Sequence, residues 1–106
     1  MSLADYQRKI DDSLQHLAKP YWHPLSQLAR VIEEVGETAR ILNHKYGDKP
    51  KKKDEVLEDL ADELADIIFA TIALANSEDI DLDPAMERAI AKVSTRDKDR
   101  YERKAA

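Results

Sequence analysis

The sequence predicts an all-α fold: an antiparallel helical bundle of four main helices, completed by homo-oligomerisation. Three observations lead there. Four segments repeat apolar residues at spacings of three and four, the period of an amphipathic helix. Only two glycines and four prolines occur in 106 residues, too few for a turn-rich β fold. Charged residues make up 37% of the chain and apolar residues 42%, a mix that suits strongly amphipathic helices and not disorder. No repeat or composition break divides the chain, so residues 1–106 read as one domain.

The first helix is predicted over about Leu3–Ala18, with Leu3, Tyr6, Ile10, Leu14 and Leu17 on one stripe. It ends before Lys19-Pro20, and the connector KPYWHP is kept from helix by its two prolines. Pro24 suits the first turn of the second helix, predicted over about Pro24–Tyr46. Leu25, Leu28, Ile32, Val35, Ala39, Leu42 and Tyr46 give that helix a heptad-like seam, the strongest periodicity in the chain. Gly47 is placed to stop it, and the basic loop GDKPKKKD follows. The third helix is predicted over about Asp54–Asn76 and closed by SEDIDLD. The fourth starts near Asp83-Pro84, an N-cap followed by proline, and runs to about Tyr101. At about 1.5 Å per residue the two middle helices are each roughly 33–35 Å long, which favours antiparallel packing through short connections.

The third helix poses the sharpest question. LADIIFATIALA (64–75) carries one carboxylate, Asp66, among apolar residues on every side of the helix. A helix apolar all round is expected to be buried, and a buried carboxylate is normally paired, metal-bound or protonated. Three neighbours within one chain cover only part of such a helix, so a second copy is expected to cover the rest. The competing reading is that Ala65, Ala70, Ala73 and Ala75 tolerate exposure.

Acids cluster on both middle helices. At about 100° per residue, Glu33, Glu34 and Glu37 of EEVGE fall in one sector roughly opposite the seam. A solvated face looks like this, but Ile41 shares the sector. On the third helix Asp59, Glu63 and Asp66 form a line that continues through Ala70, Ala73 and Ser77, while Glu55, Glu58 and Asp62 lie off it and are expected in solvent. Glu34/Glu37 and Glu63/Asp66 are each three apart, hence side by side on their helices. On facing antiparallel helices the two pairs would converge four carboxylates on one point. Without a cation they repel; Mg²⁺ or Mn²⁺ prefers such hard oxygen donors. The motifs hold no histidine, which disfavours a carboxylate–histidine di-iron site and zinc. A structural ion pair is the alternative for Asp66.

Arg88, Lys92, Arg96 and Arg100 recur at intervals of four along the last helix, and Lys49, Lys51, Lys52 and Lys53 crowd the loop between the acidic helices. These are candidate phosphate-binding cations, with ion pairing and solvation as the competing readings. His16 and His44 carry no signal beyond a helix surface. Net charge of −5 argues against a stable nucleic-acid partner. No apolar run reaches the ~18 residues of a membrane span, MSLADYQRK lacks a signal-peptide core, and absent cysteine fits a reducing compartment. The expectation is a cytoplasmic protein with no membrane partner.

EEVGE, a 25-residue gap and then ELAD resemble the E-E-x-x-E … E-x-x-D signature of MazG-like nucleotide pyrophosphohydrolases, in the all-α NTP pyrophosphatase superfamily. The likeness runs from about His23-Pro24 through the basic C-terminal stretch. It implies a Mg²⁺-dependent hydrolase, with Mn²⁺ as a substitute, that cuts nucleoside triphosphates between the α- and β-phosphates to a monophosphate and pyrophosphate. By motif position it implies Glu34, Glu37, Glu63 and Asp66 as metal ligands, with Glu33 assisting Glu34 and Glu37 in catalysis. Asn76 and Lys92 match positions of substrate contacts in relatives, and Arg96 shares the Lys92 line; with a nucleotide substrate so implied, Trp22 and His23, with Tyr21, could stack on its base, or else plug the first connector. The resemblance also implies a homodimer or homotetramer. The competing functions are a non-enzymatic helical oligomerisation or binding module, and a phosphohydrolase for a non-nucleotide polyphosphate.

Overall fold

Side chains that satisfy free backbone amides set where each helix begins. The computed structural model describes residues 1–54, 56, 58–97, 99–102 and 104. In it Ser2 caps helix α1 (Leu3–Leu14): its Oγ accepts from the Asp5 amide at 3.1 Å while the Asp5 carboxylate accepts from the Ser2 amide at 2.9 Å. His23 caps α2 (Pro24–Tyr46), its Nδ1 accepting from the Leu25 amide at 3.1 Å. Asp59 caps α3 (Leu60–Ser77) through the Ala61 amide at 2.8 Å. Asp81 caps α4 (Leu82–Ser94) through the Asp83 amide at 3.1 Å. Among the described residues there is no strand, and no helix is long and apolar enough to cross a membrane.

The boundaries of α2 match the expectation; the others correct it. Helix α1 ends at Leu14, where the Leu17 amide turns back to the Leu14 carbonyl at 3.0 Å, four residues short of the expected Ala18 and before the restriction that Pro20 imposes on Lys19. Helix α3 starts at Leu60: Asp54, Val56, Glu58 and Asp59 are not helical, and Val56 is 82% exposed, so no burial stabilises an earlier turn. Glu55 and Leu57, on which that earlier start partly fell, lie outside the described residues. Helix α4 starts one residue before Asp83 and stops at Ser94, so Arg96 and Arg100 lie beyond it. The expected four-membered cationic line is therefore not one helix face.

Helices α2 and α3 pack along each other, α1 packs on α3, and α4 packs chiefly on α1. The α1 start is bolted to α4 by Asp83, whose two carboxylate oxygens accept from the Leu3 and Ala4 amides at 3.1 and 3.3 Å. The apolar core is small: Ile10, Ile41, Ala70, Ile72, Ala73 and Ala75. The radius of gyration, 17.7 Å, exceeds the roughly 13 Å of a compact chain this long. The described residues of one chain thus form four helices that do not close a bundle by themselves.

The apolar seam of α2 is left open in one chain. Leu25, Leu28, Ile32, Val35 and Leu42 are all exposed, Leu25 at 72% and Ile32 at 62%. The face turned inward carries Gln27, Thr38 and Ile41, with Arg30, Glu34 and His44 half-buried. Helix α2 thus packs on α3 through its polar side. Likewise α3 is not buried all round: Leu64 and Ile68 are about half exposed, and Asp66 is exposed, not buried.

Candidate metal centre

The inward face of α2 meets α3 in an antiparallel register. Arg30 reaches Phe69, while Glu34 and Glu37 act on Asp66 and Glu63 further along, so residue numbers rise on one helix as they fall on the other. Glu34, Glu37 and Glu63 each bring a carboxylate oxygen within 4.8 Å of the others'. Glu63 is buried, Glu34 half-buried and Glu37 exposed. One oxygen of Glu34 and one of Glu63 are buried with no hydrogen-bond partner. A buried, unsatisfied carboxylate oxygen is costly, and an all-oxygen set of this kind fits a hard divalent cation such as Mg²⁺ or Mn²⁺.

The electrostatics agree with that cost. Burial pushes the Glu34 and Glu63 carboxyls above their ordinary 4.5, and the Glu37 and Asp66 charges push in the same direction. Arg30 opposes the shift on Glu34. Asp66 thus acts on both buried acids, although it lies outside the three-residue convergence. Glu33 is exposed and also outside it. Asp59, first in the expected acid line, is spent on capping α3.

The remaining site residues are dispersed. Asn76 is tied into a polar knot at the C-terminal end of α3. Its Nδ2 donates to the Gln7 carbonyl at 3.0 Å and to the Tyr21 hydroxyl at 3.1 Å, and its Oδ1 accepts from Gln7 Nε2 at 3.0 Å. Buried Gln7 also donates to the Ile80 carbonyl and accepts from the Leu82 amide. Tyr21 donates to the Asp11 carboxylate, and burial together with that bond raises its phenol to about 12. Lys92 is exposed on α4. Arg96 follows α4 and pairs with Asp97 at 3.4 Å. His23 is the α2 cap, and Trp22 is 54% exposed with its ring under the Arg30 guanidinium.

Sequence reasoning missed the Gln7–Asn76–Tyr21 knot and Arg30. The first needs a contact between residues 69 apart, which no local pattern announces. The second was within reach, since Arg30 stands one helical turn before Glu34 and so shares its face.

An all-helical chain with a carboxylate cluster between two antiparallel helices defines the class: all-α proteins built around a candidate metal site. The comparisons with known proteins then fix the family. Residues 23–101 match the MazG nucleotide pyrophosphohydrolase domain, and the chain belongs to that family. It is, accordingly, an enzyme of the pyrophosphohydrolase type. It is 43% identical over 103 residues, 97% of this chain and 93% of the relative, to the uncharacterised protein YpjD of Bacillus subtilis strain 168. The crystal structure of YpjD, a candidate pyrophosphatase, superposes with a TM-score of 0.78 at 39% identity, covering 90% of this chain and 97% of that one. A Bacillus-conserved MazG protein described as a nucleotide pyrophosphohydrolase superposes with a TM-score of 0.76 at 36% identity, covering 93% and 96%.

Proposed function

We propose that this protein is a Mg²⁺-dependent nucleoside triphosphate pyrophosphohydrolase, with Mn²⁺ as a substitute ion. It cleaves (d)NTPs between the α- and β-phosphates to a monophosphate and pyrophosphate. The observation that supports this reading is the convergence of Glu34, Glu37 and Glu63, with two buried oxygens left without a partner. Those three would hold the ion, with Asp66, one turn along α3 from Glu63, as the fourth ligand. When bound, the ion neutralises phosphate charge and makes water a better nucleophile near neutral pH. Glu33 is exposed beside the cluster, and as a carboxylate it can take the proton that the attacking water gives up. The exposed indole of Trp22 offers a face for a base.

The reading includes a homodimer or homotetramer. The exposed α2 seam and an apolar groove of about 380 Å³ lined by Leu3, Tyr6, Ile68 and Phe69 both favour it. Because α4 packs on α1, Lys92 and Arg96 would serve the site of a neighbouring copy.

The test is incubation with a panel of (d)NTPs and Mg²⁺, with products resolved by chromatography. Monophosphate and pyrophosphate are expected. A protein that turns over none of them with either ion is not this enzyme. Glu37→Gln and Asp66→Asn are expected to abolish turnover while leaving the helical circular dichroism intact; full activity in either would refute that ligand assignment.

A further inference from the structure

Arg30 stands apart from the other cations of the chain. Its guanidinium carbon lies 5.8 Å from the centre of the Trp22 ring and 5.6 Å from the centre of the Phe69 ring. The connector and α3 therefore each lay an aromatic ring against it. Cation–π contacts of this kind fix a guanidinium in place without using its N–H donors. Among the described residues Arg30 makes no ion pair and no hydrogen bond, so the five donors of its fork have no protein acceptor. The side chain is half-buried on the same face of α2 as Glu34, one turn away. A small cleft of about 80 Å³ opens beside it, lined by Trp22, Gln27, Lys19 and Ala73 as well as Arg30, and its charged members are both cations.

This arrangement is uneconomical as structure alone. An arginine used to hold a fold together ordinarily spends its fork on a carboxylate or on carbonyls. Glu34 stands one turn along the same face, and Arg30 acts on it through charge without a direct ion pair. An ordered, unpaired guanidinium beside an acid cluster is suited to an anion that itself comes with a cation.

We propose that Arg30 is a substrate-binding residue that takes a phosphate oxygen of the nucleotide whose metal ion is held by Glu34, Glu37 and Glu63. The Trp22 and Phe69 rings pre-organise it, and the open donors supply the bidentate contact that phosphate favours. This inference rests on the nucleotide reading above. It gives the site a fixed cation from its own chain, at the end of the acid cluster nearer the connector.

The charge of Arg30 predicts opposite effects on the two ligands. It attracts phosphate and repels the metal ion. Loss of that charge therefore weakens nucleotide binding and leaves binding of the ion alone unchanged or tighter. A merely structural arginine would loosen both together. Trp22 is the sole tryptophan, so its fluorescence reports on the clamp directly.

The experiment titrates the full chain with Mg²⁺ or Mn²⁺ alone, and then, in Mg²⁺, with the α,β-methylene analogues of the four dNTPs. Calorimetry and Trp22 fluorescence provide the readouts, for the wild type, Arg30→Gln and Arg30→Lys. For the analogue that the wild type binds best, Arg30→Gln is expected to raise Kd at least tenfold and to lose most of the fluorescence change. Its Kd for the ion alone should not rise. Arg30→Lys keeps the charge without the fork and is expected to lose about three- to tenfold. Analogue affinity within twofold of wild type in Arg30→Gln overturns the proposal, as does a parallel loss of ion and analogue binding. Should Arg30→Gln not fold, unchanged analogue binding in Arg30→Lys overturns it. If the wild type binds the ion but none of the analogues, the nucleotide reading falls first and this role with it.

Discussion

The two faces of α2 are reversed relative to the usual helix. Its inward face carries Arg30, Glu34 and Thr38 against α3, while Leu25, Leu28, Ile32, Val35 and Leu42 point outward. In an ordinary amphipathic helix the apolar stripe faces the core. Each anomaly indicates what is absent from one chain in isolation. Buried acids without partners ask for a cation. An exposed heptad seam asks for another apolar surface. The polar face is specific and costly, and the apolar face is generic and favourable, so assembly through the seam can offset what the acid face costs.

The largest effect should come from breaking the seam. An apolar side chain buried at an interface contributes about 1.5–3 kcal/mol, and placing a charge there adds a desolvation cost. Ile32→Asp with Val35→Asp is therefore expected to weaken self-association by about a hundredfold or more. Sedimentation velocity over a concentration series would show it. The double variant should leave metal binding by the acid face intact if that face belongs to one chain. An unchanged sedimentation coefficient would mean that the seam is not the contact surface.

The acid face is expected to respond in the opposite sense, through pH. Glu34 and Glu63 titrate above 4.5 in the folded, metal-free chain, so the folded state holds protons that the unfolded state has released. The stability they contribute is fully present below about pH 4.5 and is lost as the pH rises through their raised folded values. Metal binding runs the other way and tightens over the same rise, because the ion must displace those protons. Asp5 does not confuse the window: its folded pKa is lowered from 3.8 by its bonds to Ser2, so its contribution is lost only as the pH falls below that range. Thermal midpoints in EDTA should accordingly fall from pH 4.5 towards neutrality in the wild type, and fall less in Glu34→Gln/Glu63→Gln. Identical pH profiles for the two proteins would show that the acids carry no such strain.

These two faces also mark how far the sequence could be read. The period of three and four located α2 to the residue, because proline and glycine bracket it and the seam is long. The same period could not say which side faced inward. The acid spacing pointed to the side that faces α3, and the structure brings Glu34, Glu37 and Glu63 together there. The i, i+3 spacing of Glu34/Glu37 and of Glu63/Asp66 announced a convergence of four carboxylates, of which the structure brings together Glu34, Glu37 and Glu63 and leaves Asp66 outside. The start of α3 was not legible. Its acidic approach is compatible with helix, and only the exposure of Val56 and the capping bond of Asp59 decide against it. Asn76 was read as a substrate contact through family likeness; its bonds to Gln7 and Tyr21 depend on tertiary contacts that the sequence does not display.

The smallest expected effect sharpens the comparison most, because its sign depends on which face is engaged. Gly36 sits in the interior of α2, between Val35 of the seam and Glu37 of the acid cluster, and a Cβ added there would meet nothing within 4 Å in this chain. Glycine inside a helix costs about 0.5–1 kcal/mol relative to alanine, and nothing within the chain repays it. Close approach of a second copy's backbone would. Gly36→Ala is therefore expected to raise stability by about 0.5–1 kcal/mol in the Ile32→Asp/Val35→Asp background, where copies are separated. In the otherwise wild-type protein it is expected to weaken association if copies meet across Gly36, because the added methyl would then stand in the contact. Chemical denaturation of both proteins at one concentration, with sedimentation alongside, measures the two signs. A gain in both backgrounds would remove Gly36 from the contact and confine the interface to the apolar seam residues themselves.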